Sequence, residues 1–226
     1  MKQGYFVTGT DTGIGKTTVS CALLRAFAAQ GNSVVGMKPV AAGCRREGDV
    51  LVSEDVELLR GASSLDLADE LINPYAFEPP IAPHIAAEQV GMEIELARIH
   101  EAFKKLQNQA DIVVVEGVGG FCVPLNPRED TADMAVMLGL PVILVVGIRL
   151  GCLNHALLSA EAIARRGLKL AGWVANFAQV EKVNAAEQNI ATLEQRLGAP
   201  LLGVVGYQEF PDVAKSESLL HLQFIK

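Results

Sequence analysis

The chain has 226 residues, half of them hydrophobic and a fifth charged, a composition that excludes a disordered protein. A formal net charge of −7 and a pI near 5.1 deny it the basic surface with which a sequence-independent nucleic-acid binder displaces counterions. The length fits one large α/β domain over residues 1–226, with material for a sizeable core.

After Met1-Lys2-Gln3 the chain enters the apolar run Tyr5-Phe6-Val7, without the apolar stretch and cleavage site of a targeting peptide. A strand over about Tyr5–Thr8 then meets Gly9-Thr10-Asp11-Thr12-Gly13-Ile14-Gly15-Lys16-Thr17-Thr18, which opens a helix over about Lys16–Gln30. Strand, glycine-rich turn and helix in this order form a triphosphate cradle, because backbone N–H groups and the positive helix end converge on one anion. Thr12, Gly13, Ile14, Gly15, Lys16, Thr17 and Thr18 are the expected wrapping residues. The lysine adds a mobile charge for the outer phosphates, and the Thr17 hydroxyl suits a magnesium ion. The common pattern has glycine five residues before Gly15; here Thr10 stands there and Gly9 lies one residue further back, so the loop is one residue longer.

The second strand, about Ser33–Lys38, ends at Lys38-Pro39. Pro39 forces Lys38 into an extended conformation and holds its side chain at the carboxyl edge of the sheet. A helix follows over about Ser53–Leu59. There Asp55 reads either as a magnesium ligand or as part of an acidic first turn behind a Ser53 cap. Between Leu71 and Pro83, four prolines (Pro74, Pro79, Pro80, Pro83) prevent a continuous helix or a central strand, leaving an ordered excursion or a mobile loop. A helix over about Glu93–Gln109 leads to a strand at Ile112–Glu116. Glu116, alone after four apolar residues, is placed to hold or orient magnesium, and the glycines of Gly117-Val118-Gly119-Gly120 let backbone approach phosphate.

The apolar run Leu140–Ile148 contains Pro141 and is about half the ~20 residues a membrane-spanning helix needs, so it reads as a strand at Val142–Gly147. A helix at about His155–Arg166, a strand at Leu170–Asn176, a helix at about Glu181–Leu197 and a strand at Leu201–Val205 complete the chain. Gly31, Gly167 and Gly198 with Pro200 punctuate the helix ends. Asn176 reads either as a turn asparagine or as an amide that pairs with the N6 and N7 edge of adenine. Strands apolar without a break are covered on both faces. The alternation therefore predicts a doubly wound, mostly parallel sheet with helices on both sides, of the phosphate-loop NTPase type, with ligands at the carboxyl ends of the strands. Cys21, Cys44, Cys122 and Cys152 are far apart and form no Cys-x-x-Cys pair, so buried free thiols in a reducing compartment are expected.

These motifs together resemble the dethiobiotin synthetases. The matching segments include Val7 to Thr17, Lys38-Pro39-Val40-Ala41, Asn73-Pro74-Tyr75, Pro83-His84, Val115 to Gly120, Pro141 to Gly147, Gly151-Cys152-Leu153-Asn154-His155-Ala156 and Leu170 to Asn176. The longer phosphate loop also belongs to that family. The resemblance implies a cytoplasmic homodimer that uses ATP and magnesium to close 7,8-diaminononanoate and CO2 into a cyclic urea. It implies Lys16 and Lys38 as catalytic cations and Thr17, Asp55 and Glu116 as metal ligands. Gly117, Val118, Gly119, Asn176, Phe177, Val205, Gly206 and Tyr207 would contact nucleotide. Ala42 and Gly151, Cys152, Leu153 and Asn154 would contact the diamine, the last four across the subunit interface. Two residues depart from the family pattern: Ala42 replaces a hydroxyl residue, and Gly206 stands in a segment that tends to carry proline. The stretch after Asp212 carries little resemblance.

Two rivals are weaker. Partitioning-type ATPases carry a signature lysine near the start of the loop, where this chain has Thr10, and the membrane-targeting ones end in a basic amphipathic helix. The tail Leu219 to Lys226 is short and barely basic, so packing on the core is expected of it. A nucleotide-dependent amidotransferase would need a glutaminase segment with a nucleophilic cysteine, and none follows. Neither a nucleic-acid nor a membrane partner is expected.

Overall fold

The computed structural model describes residues 3–178, 183–207 and 220–225. In chain order the elements are β1 (Gln3–Gly9), α1 (Lys16–Ala29), β2 (Val34–Met37), β3 (Val40–Ala42), β4 (Arg45–Glu47) and β5 (Val50–Val52). They continue through α2 (Glu54–Ala62), α3 (Asp69–Ile72), β6 (Tyr75–Phe77), α4 (Pro83–Gln89), α5 (Leu96–Gln109) and β7 (Ile112–Glu116). The remainder comprises α6 (Thr131–Leu138), β8 (Val142–Gly147), α7 (Cys152–Arg165), β9 (Leu170–Asn176), α8 (Ala186–Arg196) and β10 (Leu201–Val205). A 3-10 turn, Leu222–Phe224, follows.

Six strands form one sheet in the order β10-β9-β8-β1-β7-β2, every neighbouring pair parallel. All six lie where the apolar runs place them. The chain moves from β1 outward to β2, returns to β7, then crosses to β8 on the other side of β1. The carboxyl end of β1 is therefore the switch point where such sheets open a ligand crevice. Alternate residues explain the unbroken apolar runs. Val7, Val114, Ile143, Val145 and Val174 face α1 and α2. Phe6, Val113 and Val115 face the layer that includes α5 and α6, and Leu144, Val146, Trp173 and Ala175 face α7 and α8. Leu220, Leu222 and Ile225 are buried on the α1 side, as expected of the tail.

The Pro-rich excursion is ordered. It contributes β6, which pairs in parallel with β3, and Pro83 takes the first position of α4, where its missing N–H costs nothing. Its main consequence is local to Lys38. The Lys38 backbone N–H donates to Ile72 O at 2.9 Å, and its carbonyl accepts from Asn73 Nδ2 at 2.6 Å.

Some elements differ from expectation. The expected helix at His155–Arg166 begins earlier, at Cys152, directly after Gly151. The one expected from Glu181 runs from Ala186 to Arg196; Glu181 lies outside the described residues, as do 208–219 of the tail. α6 was not expected at all. Asp130 and Asp133 form a reciprocal capping box at its start, and its apolar sequence runs on toward β8. Cys21, Cys44 and Cys152 are buried free thiols, but Cys122 corrects the expectation: it is free and exposed, in the loop between β7 and α6.

Candidate active site

The phosphate loop spans from the end of β1 to the start of α1. Gly15, the N-cap of α1, has φ 84°, a left-handed conformation that disfavours any side chain. Thr12 and Gly13 stand on the exposed rim, while Ile14 and Lys16 are buried. Lys16 folds back, with Nζ donating to Asp11 O at 2.8 Å. Burial, then the nearby Lys38 charge, lowers its pKa to about 8, although Glu116 and Asp55 pull the other way.

Three strand and helix ends converge beside the loop. Thr17 Oγ1 lies 2.8 Å from Asp55 Oδ1 and 3.0 Å from Glu116 Oε1; its single proton serves one carboxylate at a time. Lys38 Nζ lies 2.6 Å from Glu116 Oε1, 3.0 Å from Asp55 Oδ2 and 3.2 Å from Gly117 O. Glu116 is fully buried, the Lys38 side chain is 5% exposed, and the Asp55 side chain opens to solvent at 42%. Burial opposes the Lys38 ammonium, but Glu116 and then Asp55 outweigh it and raise its pKa. For Asp55 burial acts upward, and Lys38 with Thr17 overcomes it, holding the carboxyl below its usual range. Ser53 is the N-cap of α2 but makes no side-chain cap bond, and Asp55, in the acidic first turn of that helix, also bonds Thr17 and pairs with Lys38.

Glu116 Oε2 is buried and takes no hydrogen bond among the described residues. An ionised oxygen in that state is costly unless a further cation or donor completes it. No group of three or more His, Cys, Asp or Glu side chains among the described residues is arranged to hold a metal. Magnesium does not require one: it takes one or two carboxylates and fills its octahedron with water and phosphate oxygens. Thr17, Asp55 and Glu116 therefore fit that ion. Beyond β7, a Cβ at Gly119 would stand 3.6 Å from Thr12 Oγ1, so this glycine turn faces the phosphate loop. Val118 packs half-buried against the core.

On the other side of the loop, Gly15, Thr18, Asn176, Phe177, Val205, Gly206 and Tyr207 line a single cleft of about 100 Å³. The residues expected to meet the base are thus together, next to the loop expected to meet the phosphates. Thr12, Gly13 and Ile14 line a neighbouring cleft with Arg149. Ala42 is half-buried on β3. Gly151 caps α7, with Cys152 buried in its first turn and Asn154 exposed. Among the described residues, no hydrogen bond or ion pair joins Ala42 or 151–154 to the Lys38 cluster.

Two contributors, Asn73 and Asp11, have no role in the sequence analysis. Asn73, quoted there only as part of a matching segment, fixes the Lys38 carbonyl. Asp11 holds Lys16 with its carbonyl and pairs with Arg149 through its carboxylate. The Asn73-Pro74 pair was a legible turn signal for the first; spacing offered none for the pairing of Asp11 with Arg149, which are 138 residues apart.

Comparison with known proteins finds relatives over nearly the whole chain. A family model described as AAA domain matches residues 3–212. The ATP-dependent dethiobiotin synthetase BioD of Nitrosospira multiformis is 55% identical over 98% of this chain and 96% of its own length. That of Aromatoleum aromaticum is 54% identical over 97% of each chain. Among solved structures, the septum site-determining protein MinD of Pyrococcus horikoshii, complexed with Mg-ADP, has a TM-score of 0.56 at 18% identity, covering 100% of this chain and 87% of its own. A ParA family ATPase of Chlorobium tepidum has a TM-score of 0.56 at 12% identity, covering 92% of this chain and 85% of its own. At those identities the two structures share with this chain the fold alone, an α/β phosphate-loop NTPase architecture. The near-full-length identity to the synthetases decides between the readings, and the chain belongs to the ATP-dependent dethiobiotin synthetase family.

Proposed function

We propose that this chain joins 7,8-diaminononanoate and CO2 into the cyclic urea dethiobiotin, converting ATP to ADP and phosphate. The observation that carries the chemistry is the cluster of Lys38, Glu116, Asp55 and Thr17 beside the phosphate loop. One substrate amine captures CO2 as a carbamate. A carbamate oxygen attacks the γ-phosphorus, releasing ADP and forming a carbamic–phosphoric anhydride. The second amine then closes the ring and expels phosphate.

Phosphoryl transfer depends on positioning and on stabilising charge spread over the equatorial oxygens. Lys16 leaves Asp11 O for the outer phosphates. Lys38, charged and fixed through its backbone by Ile72 and Asn73, presents its ammonium to the carbamate or the transferred group. Thr17, Asp55 and Glu116 would hold magnesium, which would neutralise the negative charge developing on the phosphates. The cleft bordered by Asn176, Phe177 and Tyr207 takes the base. Gly151 to Asn154 present the amino end of α7 to the substrate carboxylate of the partner subunit in a homodimer. We also propose that residues 1–226 act as one domain in the cytoplasm; among the described residues no helix is long and apolar enough to cross a membrane.

The deciding experiment measures ATP hydrolysis with diaminononanoate and bicarbonate, each omitted in turn. Hydrolysis that requires both supports the synthetase. Hydrolysis indifferent to both would overturn it in favour of a nucleotide switch.

Two expectations accompany this reading. Replacing Asp55 or Glu116 by Ala should raise the magnesium concentration giving half-maximal activity, because each removes one of two carboxylates. Parent-like magnesium titrations in both variants would place the metal elsewhere. Ala42→Ser restores a hydroxyl beside the diamine. One hydrogen bond is worth roughly 0.5–1.5 kcal/mol net, so the diamine KM should fall by up to about tenfold with kcat little changed. An unchanged KM in steady-state assays at saturating ATP would mean that Ala42 does not face the diamine.

A further inference from the structure

The loop apex is gripped twice. The Ile14 side chain sits between two strand ends where only glycine leaves room. A Cβ on Gly9, at the end of β1, would come within 2.7 Å of Ile14 Cδ1, and one on Gly147, at the end of β8, within 2.7 Å of Cγ2. Its carbonyl is held by the end of β9: Asn176 Nδ2 donates to Ile14 O at 2.6 Å, with Asn176 itself 4% exposed. Because the partner is a carbonyl, the amide must present its nitrogen there. The same nitrogen lies against Gly15, so close that a Cβ on that residue would overlap it. Asn176 also borders the cleft beside Phe177 and Tyr207, and no described residue donates to its Oδ1.

We propose that Asn176 is a positioning residue for the phosphate loop, holding it in its binding shape through Ile14 before any base arrives. This goes beyond a base-reading role, though it rests on the reading of the loop as an ATP site. One amide then serves two sites. One N–H holds Ile14 O, while the second N–H and Oδ1 remain for a ligand in the cleft. The loop is one residue longer than the common form, so its backbone has more conformations to lose on binding phosphate. Fixing its apex from three adjacent strand ends removes that loss in advance.

The test separates base from phosphate. Calorimetry measures binding of magnesium-ATP and of magnesium-tripolyphosphate, which has no base, to the parent, to Asn176→Ala and to Gly147→Ala. The last substitution pushes on the Ile14 side chain without touching the cleft. Thermal melts check that each variant is folded. A positioning role predicts that both variants lose tripolyphosphate affinity by about fivefold to tenfold, the equivalent of one hydrogen bond. It also predicts that Asn176→Ala loses ATP affinity by at least the same factor. If Asn176→Ala weakens ATP but binds tripolyphosphate like the parent, the residue reads the base and the proposal fails. A parent that binds ATP but not tripolyphosphate would overturn it too, since its loop would then not be organised without a base. A parent that binds neither would overturn the ATP-site reading itself. If Asn176→Ala does not fold, Gly147→Ala decides alone, and its parent-like tripolyphosphate affinity would sink the proposal.

Discussion

Lys16→Ala is expected to cut turnover at least a hundredfold while leaving the fold intact. The side chain folds back onto Asp11 O, one bond that the loop can lose without unravelling, because Ile14, Gly15 and Asn176 hold the apex independently. Its loss removes a positioned cation from a transition state rich in negative charge. That costs on the order of 3 kcal/mol, or about two decades in rate. The lysine also gives the reaction a pH signature. Its pKa of about 8 in the folded chain lies below the ordinary 10.5, with burial as the main cause. Between these values the unfolded chain binds more protons than the folded one, so the lysine contributes stability that rises with pH across that window. ATP reverses the preference, since phosphates favour the ammonium. ATP affinity should therefore fall as pH rises through about 8, with proton uptake on binding, and Lys16→Ala should flatten this dependence. Near-parent turnover in a folded variant, or the same pH dependence of ATP binding in both proteins, would remove Lys16 from the mechanism.

The sheet and its switch point were legible because buried parallel strands write themselves as unbroken apolar runs. Ile112 to Val115 and Val142 to Val146 admit no other reading once helices flank them. The residues that act at strand ends were legible for the converse reason: Glu116 and Lys38 are single charges at the ends of apolar runs. The short elements were not. β3 and β6 have three residues each and pair across a separation of 35, which no local pattern reports. α6 is apolar enough to merge with the strand after it, and its capping box uses Asp133 where the familiar signal has Glu or Gln. Asp55 was ambiguous in sequence because an acidic first turn suits any helix. The packing of α2 beside α1 brings that first-turn Asp55 to Thr17, a contact no local pattern reports. Asn176 was ambiguous in the same way, and its bond to Ile14 O excludes the idle turn asparagine.

The residue with most at stake in both stability and catalysis is Lys38. Lys38→Met keeps much of the volume and removes the charge. Glu116, fully buried, then keeps only the Thr17 hydroxyl, with Asp55 close by as a like charge. Breaking a buried ion pair from one side costs about 3–5 kcal/mol, because the remaining charge loses its partner without regaining water. In a chain of this size that is a melting temperature lower by roughly 6–20 °C. Magnesium should recover part of the loss, since Thr17, Asp55 and Glu116 remain to bind it and the variant has greater need of the charge. The melting-temperature gain on adding magnesium should therefore be larger in Lys38→Met than in the parent. Turnover should not recover with stability: magnesium restores the neutrality of the carboxylates, but not the ammonium aimed at the carbamate. A loss of at least about a hundredfold in kcat should persist at saturating magnesium and at temperatures where the variant is fully folded. A magnesium-saturated variant that melts like the parent and turns over at the parental rate would make Lys38 a mere place-holder for the metal. One that recovers stability but not rate would mark it as a group that touches the reacting atoms.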